Sequence, residues 1–299
     1  MDGIILIDKP AGLTSSEAVR RIKRFVKPSR VGHLGTLDPF ATGLLPIMIG
    51  EATKLAPFIE GGDKEYAGLI RLGAETDTLD RDGAVVRTAA VPAITAEKLA
   101  AAAARFTGPI EQVPPVYSAI KRAGVPLYRL ARRGDEVEPP PPRNVEIKRL
   151  KLSMEGPDAI RFSAACSPGT YARSLARDIG VALGTAAHLE ELRRTRNGVF
   201  SIADAQPLDE VIAALESSPA AIRSIGLSDA LPGLPELKLD RDTERRLRNG
   251  DFAALTSLVP PGAELFKVVS AKGELIAVAR ATSRVTAAIE RIFNSPEGN

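Results

Sequence analysis

Residues 32 to 43 read Gly-His-Leu-Gly-Thr-Leu-Asp-Pro-Phe-Ala-Thr-Gly, and a helix cannot run through them. The ring of Pro39 pushes Asp38 toward an extended backbone and disfavours a helix at that point. Glycines at 32, 35 and 43 permit tight turns and let a ligand approach the main chain closely. Residue types leave two readings of Asp38. It is a structural Asp-Pro turn, since aspartate is an ordinary turn former, or a carboxylate that a ligand can reach. The stretch lacks Gly-Lys followed by Ser or Thr, so it is not a phosphate-binding P-loop.

The segments on either side alternate strands with helices. Gly3 to Ile7 is an apolar run that reads as a buried strand. Thr14 and Glu17 form a capping box before the helical stripe Val19, Ile22, Phe25 and Val26, which Pro28 ends. Leu44 to Ile49 and Tyr66 to Leu72 read as strands, and Thr95 caps an Ala-rich helix to Phe106. Residues 134 to 144, with four consecutive prolines, read as an extended connection. Ala159 to Cys166 alternates with Ile160, Phe162, Ala164 and Cys166 on one face. A helix follows from Tyr171 with Leu175, Ile179 and Leu183 inward, and a further helix is expected over Ala186 to Arg196, stopped by Gly198. Pro232, Gly233 and Pro235 mark an expected domain boundary. Beyond it, a basic helix from Asp242 to Arg248 and a hairpin turning at Ala271-Lys272-Gly273 predict a small β-rich domain. Residues 294 to 299 read as a disordered tail.

Composition narrows the classes. The apolar fraction of 44% supports a sizeable core in 299 residues, and 4% aromatics without tryptophan means that Ala, Val, Ile and Leu must build it. One cysteine, Cys166, excludes an intramolecular disulfide. With only His33 and His188 beside it, a Cys/His zinc site is excluded in practice. No apolar stretch approaches the ~20 residues of a membrane span, and the N-terminus lacks a basic n-region, so the expected location is the cytoplasm. The net charge of +3 permits a nucleic-acid partner without requiring one. Its distribution is more informative. Arg20, Arg21, Lys23, Arg24, Lys27 and Arg30 form one cluster without an acid, and Arg193, Arg194 and Arg196 another.

Three further constellations carry candidate chemistry. Tyr66, in Lys64-Glu65-Tyr66, is either a half-buried packing residue or a stacking face for a base with a phenol for proton transfer. Arg173 falls in the first turn of a helix, where the dipole disfavours a cation. It is therefore either an exposed arginine or one answered by a buried carboxylate. The arginines at 193 to 196 are either a solvated helix face or phosphate contacts. The acidic loop Thr76 to Gly83 fails the calcium-loop template, because position twelve would be Ala89, so a structural turn is expected there.

Together these segments resemble one family, the bacterial tRNA pseudouridine-55 synthases. The resemblance is carried by Asp8 to Ser15, Gly32 to Leu45, Lys64-Glu65-Tyr66, Val113 to Lys121, Gly169 to Arg173 and Leu192-Arg193-Arg194, in order over residues 8 to about 205. It implies an α+β fold: a mixed, mainly antiparallel sheet with surrounding helices and a central catalytic cleft over 1–234, plus a small PUA-like RNA-binding domain over 235–293. The implied activity is isomerisation of uridine to pseudouridine at position 55 in the T arm of tRNA, with the base flipped out of the loop. The resemblance assigns catalysis to Asp38, Tyr66 and Arg173, with the arginine pairing the aspartate. It assigns substrate contacts to His33, Tyr171 and Leu192. Arg20, Arg21, Lys23, Arg24, Lys27, Arg30, Arg193 and Arg194 are expected on the RNA backbone.

The isomerisation is redox-neutral and adds no atoms, so neither cofactor nor metal is expected. The segment from Lys121 to Arg149 resembles the family's mobile insertion that grips the tRNA arm. The expected protein is a stand-alone monomer acting on tRNA without guide RNA, protein partner or membrane. Two other readings stand beside it: an RNA chaperone that folds tRNA, and the guide-RNA-dependent relative of archaea and eukaryotes.

Overall fold

Why the run Ile4 to Ile7 of the first strand is apolar throughout becomes clear from what covers it. β1 (Gly3–Lys9) sends Ile5 and Ile7 into one core and Ile4 and Leu6 into another, so both faces are buried. The computed structural model describes residues 2–26, 29–122, 124–133, 137–217 and 222–294. In chain order, β1 is followed by β2 (Val31–His33), β3 (Thr42–Ile49), β4 (Lys64–Leu72), the hairpin β5 (Ala74–Thr76) and β6 (Val85–Thr88), and β7 (Gly108–Gln112). The short pair β8 (Lys121–Arg122) and β9 (Val125–Pro126) precedes β10 (Arg143–Met154), β11 (Ala159–Cys166), β12 (Ala187–Asn197), β13 (Phe200–Ser201) and β14 (Gln206–Pro207). Ten of these strands form one sheet in the order β14-β1-β3-β12-β4-β11-β10-β7, with β2 on β3 and β13 on β12. Its pairings are antiparallel except for β1 with β14 and β3 with β12.

The helices are α1 (Ser15–Lys23), α2 (Ala56–Ile59), α3 (Ala96–Arg105), α4 (Leu127–Arg132), α5 (Ala172–Ala182), α6 (Leu208–Ser217) and α7 (Arg241–Arg248). The expected caps are present. Thr14 and Glu17 close a reciprocal box at α1, and Thr95 accepts from the Lys98 N–H at α3. α1 stops at Lys23, short of the proline expected to end it. Lys27 and Pro28 lie outside the described residues. α5 buries Leu175, Ile179 and Leu183, as its periodicity predicts.

A second sheet, β15 (Glu236–Lys238), β16 (Leu265–Val269), β17 (Leu275–Ala281) and β18 (Ala287–Ile292), has its own cluster around Phe266, Val268 and Ile276. Val269, Leu275 and Phe293 also pack with Ile4, Leu6, Leu44 and Met48, so this sheet covers the far face of β1 and β3. Asn294 donates its N–H to Glu51 Oε2 at 2.7 Å. The rest of the expected tail, 295 to 299, lies outside the described residues. Among the described residues no helix is long and apolar enough to cross a membrane.

One expectation fails. Residues 186–196 form not a helix but β12, at the middle of the large sheet between β3 and β4. The cause is legible in the register. Bulges between Leu189 and Glu191 and between Arg194 and Arg196 insert extra residues against β4. The first turns a two-residue alternation into a spacing of three, so Leu189 and Leu192 both face the core while imitating a helical stripe. Pairing on both sides then overrides the helix propensity of Leu, Glu and Arg.

The close passage of β12 beside β3 depends on Gly43. Its φ is +102°, and a Cβ there would collide with the Arg194 carbonyl oxygen. Strained backbone and overpacking each cost about 1–3 kcal/mol, so Gly43→Ala is expected to lower stability by roughly 2–5 kcal/mol in urea denaturation. An unchanged urea midpoint would contradict this packing.

Candidate active site

Asp38 sits in a loop that is irregular in backbone yet fixed at many points. Its neighbours Leu37, Phe40 and Ala41 are buried in the main core. Ser15 Oγ accepts from the Leu37 N–H at 2.9 Å and donates to the Leu37 carbonyl at 3.1 Å. The Lys9 ammonium, fully buried, donates to the carbonyls of Pro10, Leu13 and Pro39 at 2.7, 2.7 and 3.3 Å. Burial lowers the Lys9 pKa to about 8, and the charge of Asp38 opposes that shift, so the group is still cationic at neutral pH. Asn197 donates to the Leu34 carbonyl at 2.8 Å. Arg194 is 1% exposed and spends its guanidinium on the carbonyls of Leu44 (2.8 Å), Gly35 (3.0 Å) and Thr36 (3.4 Å), the two ends of the loop.

The loop presents a carboxylate that is 31% exposed to an arginine that is 6% exposed. Arg173 Nη2 donates to Asp38 Oδ1 at 3.1 Å, and Nε lies 2.9 Å from Oδ2 in a close ion-pair contact that is not aligned for a hydrogen bond. The rest of the guanidinium is also used. Nη2 donates to the Tyr117 carbonyl at 2.9 Å, Nη1 to the Thr78 carbonyl at 2.9 Å, and Nη1 lies 3.4 Å from Asp80 Oδ2. One cation thus faces two aspartates. Asp80 is buried, and desolvation raises its pKa although Thr78 and Arg173 pull it back.

Tyr66 stands on β4 directly opposite Arg194 on β12, so the two side chains share a face. It is half-buried against the main core. Burial raises the pKa of its phenol, against the pull of the Arg194 cation and hydrogen bond, and the charge of Asp38 raises it further. At neutral pH it is a neutral phenol that can both donate and accept. His33 ends β2 with Nδ1 buried and unpartnered, and burial with the Arg194 charge lowers its pKa, which keeps the ring neutral. The site therefore combines one partly exposed carboxylate, a fixed guanidinium, and an aromatic face with a proton. That set can hold a planar ring beside a nucleophilic or charge-stabilising oxygen.

Residues 23–172 match the TruB family pseudouridylate synthase N-terminal domain, and residues 173–225 match the tRNA pseudouridylate synthase B C-terminal domain. The chain belongs to the TruB family of pseudouridylate synthases. A tRNA pseudouridine synthase B from Aromatoleum aromaticum is 49% identical over 245 residues, covering 80% of this chain and 77% of the relative. Another from Burkholderia mallei is 44% identical over 292 residues, covering 96% and 95%. Among solved structures, a chain of a Cbf5-Nop10-Gar1 complex superimposes with a TM-score of 0.71 at 25% identity, covering 97% of this chain and 84% of that one.

This TruB-family fold brings several sequence candidates together and separates others. Asp38 and Arg173 touch. Tyr171 lies two residues before Arg173, at the N-cap position of α5, with the Arg143 guanidinium 4.5 Å from its ring centre. Leu192 lies two residues before Arg194 on β12, buried in the core, and its carbonyl accepts from Thr42 Oγ1 at 3.5 Å. Arg20, Arg21, Lys23, Arg24 and Arg30 are exposed on and after α1. Arg193 is partly exposed and pairs with Asp8 at 2.6 Å.

Arg194 is a correction: it is not free to contact an RNA phosphate, because it is buried and holds the Asp38 loop. The acidic loop is more than a turn, because Asp80 and the Thr78 carbonyl reach Arg173. No residue-type signal separated Asp80 from its neighbours Asp77 and Asp82. Lys9, at the end of an apolar buried strand, is an unusual placement for a lysine and the one sequence signal that points to its buried role. Of the expected gripping insertion, β8, β9 and α4 form a small unit, while Arg143 to Arg149 already belong to the main sheet.

Proposed function

We propose that this protein isomerises uridine to pseudouridine at position 55 in the T arm of tRNA, with Asp38 as the catalytic carboxylate. The observation that carries the reading is the hydrogen-bonded Arg173–Asp38 ion pair, held in a partly exposed loop with Tyr66 nearby. Family membership and the names of the relatives at 49% and 44% identity support the reaction and its tRNA substrate.

In this reading the base detaches from C1′ at N1 and rejoins through C5. A uridine in a folded loop must first be extruded, at a cost of a few kcal/mol. Stacking on Tyr66 offsets about 1–3 kcal/mol of that. Arg173 holds Asp38 in place, while Tyr66 supplies the ring face and a proton-bearing oxygen. His33, Tyr171 and Leu192 shape the surroundings of the flipped nucleotide. The exposed basic side chains Arg20, Arg21, Lys23, Arg24 and Arg30, with Arg193, hold phosphates and set register rather than read sequence. Residues 1–234 form the catalytic unit, and the four-stranded sheet in 235–293 is a PUA-like RNA-binding unit. The enzyme works in the cytoplasm as a stand-alone monomer, without guide RNA, and can also assist tRNA folding.

The deciding experiment uses tRNA carrying tritium at uridine C5. Stoichiometric tritium release by the purified protein, without added RNA or protein, is the expected result. Binding without release would leave only the chaperone reading. Release that requires an added guide RNA would transfer the protein to the guide-dependent class.

A further inference from the structure

Gln112 is the last residue of β7 and is fully buried. Its side-chain amide is spent on the main chain of one residue. Oε1 accepts from the Tyr171 N–H at 2.8 Å, and Nε2 donates to the Tyr171 carbonyl at 3.1 Å. The amide thus imitates a neighbouring strand and grips Tyr171 from both sides. Tyr171 occupies the N-cap position of α5 but makes no side-chain cap of its own. Helix termini need their orphan groups held, and here the grip comes from Gln112.

The following residues are sewn to the same helix. Ser174 Oγ donates to the Val113 carbonyl at 2.7 Å, and Arg173 Nη2 donates to the Tyr117 carbonyl at 2.9 Å. Arg173, two residues past Tyr171, is the partner of Asp38. Its Nη2–Oδ1 hydrogen bond at 3.1 Å weakens steeply with misalignment, so a small rotation of the first helical turn disturbs the pair.

We infer that Gln112 is a positioning residue: by fixing Tyr171 it sets the first turn of α5, and with it the grip of Arg173 on Asp38. The inference rests on the proposed uridine isomerisation. It predicts an effect chiefly on the chemical step, because Gln112 itself is fully buried and acts through the main chain of Tyr171. Misplacement of a catalytic group by about 1 Å costs on the order of 100-fold in rate.

The test compares Gln112→Met and Gln112→Glu with wild type, using tritium release at saturating enzyme over tRNA, filter binding of tRNA, and thermal melting. Gln112→Met, similar in shape but without hydrogen bonds, is expected to lower the single-turnover rate constant about 100-fold with affinity within threefold. Gln112→Glu carries a pH signature that a general loss of stability would not produce. Its carboxylate can accept from the Tyr171 N–H but repels the Tyr171 carbonyl. Once protonated it can donate there and restore both bonds. Its deficit relative to wild type should therefore shrink as pH falls, while that of Gln112→Met should not. Rate constants within threefold of wild type, or a Gln112→Glu deficit that ignores pH, would overturn the inference. Absence of release by wild type would overturn the isomerisation itself and the inference with it, so the two failures are distinguishable.

Discussion

Asp38→Asn is expected to abolish tritium release from uridine C5 while tRNA binding stays within about twofold of wild type. Asparagine keeps the shape of the side chain and can still accept from Arg173 through Oδ1. It removes the charge and the second carboxylate oxygen. Removal of a reacting group in a working constellation typically costs more than about 10⁴-fold, which takes release below detection. Affinity should survive because, in the proposed reading, the exposed cations on and after α1 hold the RNA and the substitution leaves them untouched. The substitution also leaves the loop anchors at Ser15, Lys9 and Arg194 untouched. Release by the variant at the wild-type rate would sink the catalytic assignment.

The second large effect belongs to Arg173→Ala, and it has two components. Asp38 loses the donor and the cation that hold it in place, so turnover should fall by roughly 10²–10³-fold, the range for removing one preorganised charge-stabilising donor. Asp80, buried beside it, loses its cation. Leaving a buried charge without its partner costs about 3–5 kcal/mol, so the variant should also melt lower. The sign of the pH effect follows from Asp80. Its folded-state pKa is raised already, chiefly by desolvation, and loss of Arg173 raises it further. The folded state then holds a proton that the unfolded chain releases. Stability is therefore higher below the unfolded carboxylate pKa and is lost as pH rises through the raised folded value. The melting deficit of Arg173→Ala should narrow on acidification, while the activity deficit should not. A variant that binds tRNA poorly but turns over bound tRNA normally would contradict the pairing role.

Much of this arrangement was legible in the chain. The Asp-Pro loop, the capping box at Thr14, the alternation before Cys166 and the hairpin at Lys272 all announce themselves through local chemistry, and each forms where expected. The misplacement of Arg173 against its helix dipole pointed to a carboxylate partner, and the structure provides two. What could not be read is what depends on distant pairing. β12 looks helical because a bulge rewrites its period, and bulges leave no mark in composition. Arg194 looks like a surface cation because its three carbonyl partners lie about 150 residues away in the chain. Asp80 is ordinary until α5 is laid beside it. Outside β12, secondary structure follows local sequence, whereas the site is assembled by tertiary contacts.

The central place of β12 also bears on how the protein is made. A ribosome delivers β1, β3 and β4 early, but the strand that joins β3 to β4 is delivered only after residue 187. Until then β4 carries an open backbone edge, the kind of surface that recruits other chains, while β2 already pairs part of β3. Neither Arg173 nor Arg194 has reached the Asp38 loop by the time that loop is synthesised. The Arg173–Asp38 pair therefore cannot form until more than half of the chain has been made, and the exposed edge of β4 is closed only when β12 slots into the gap.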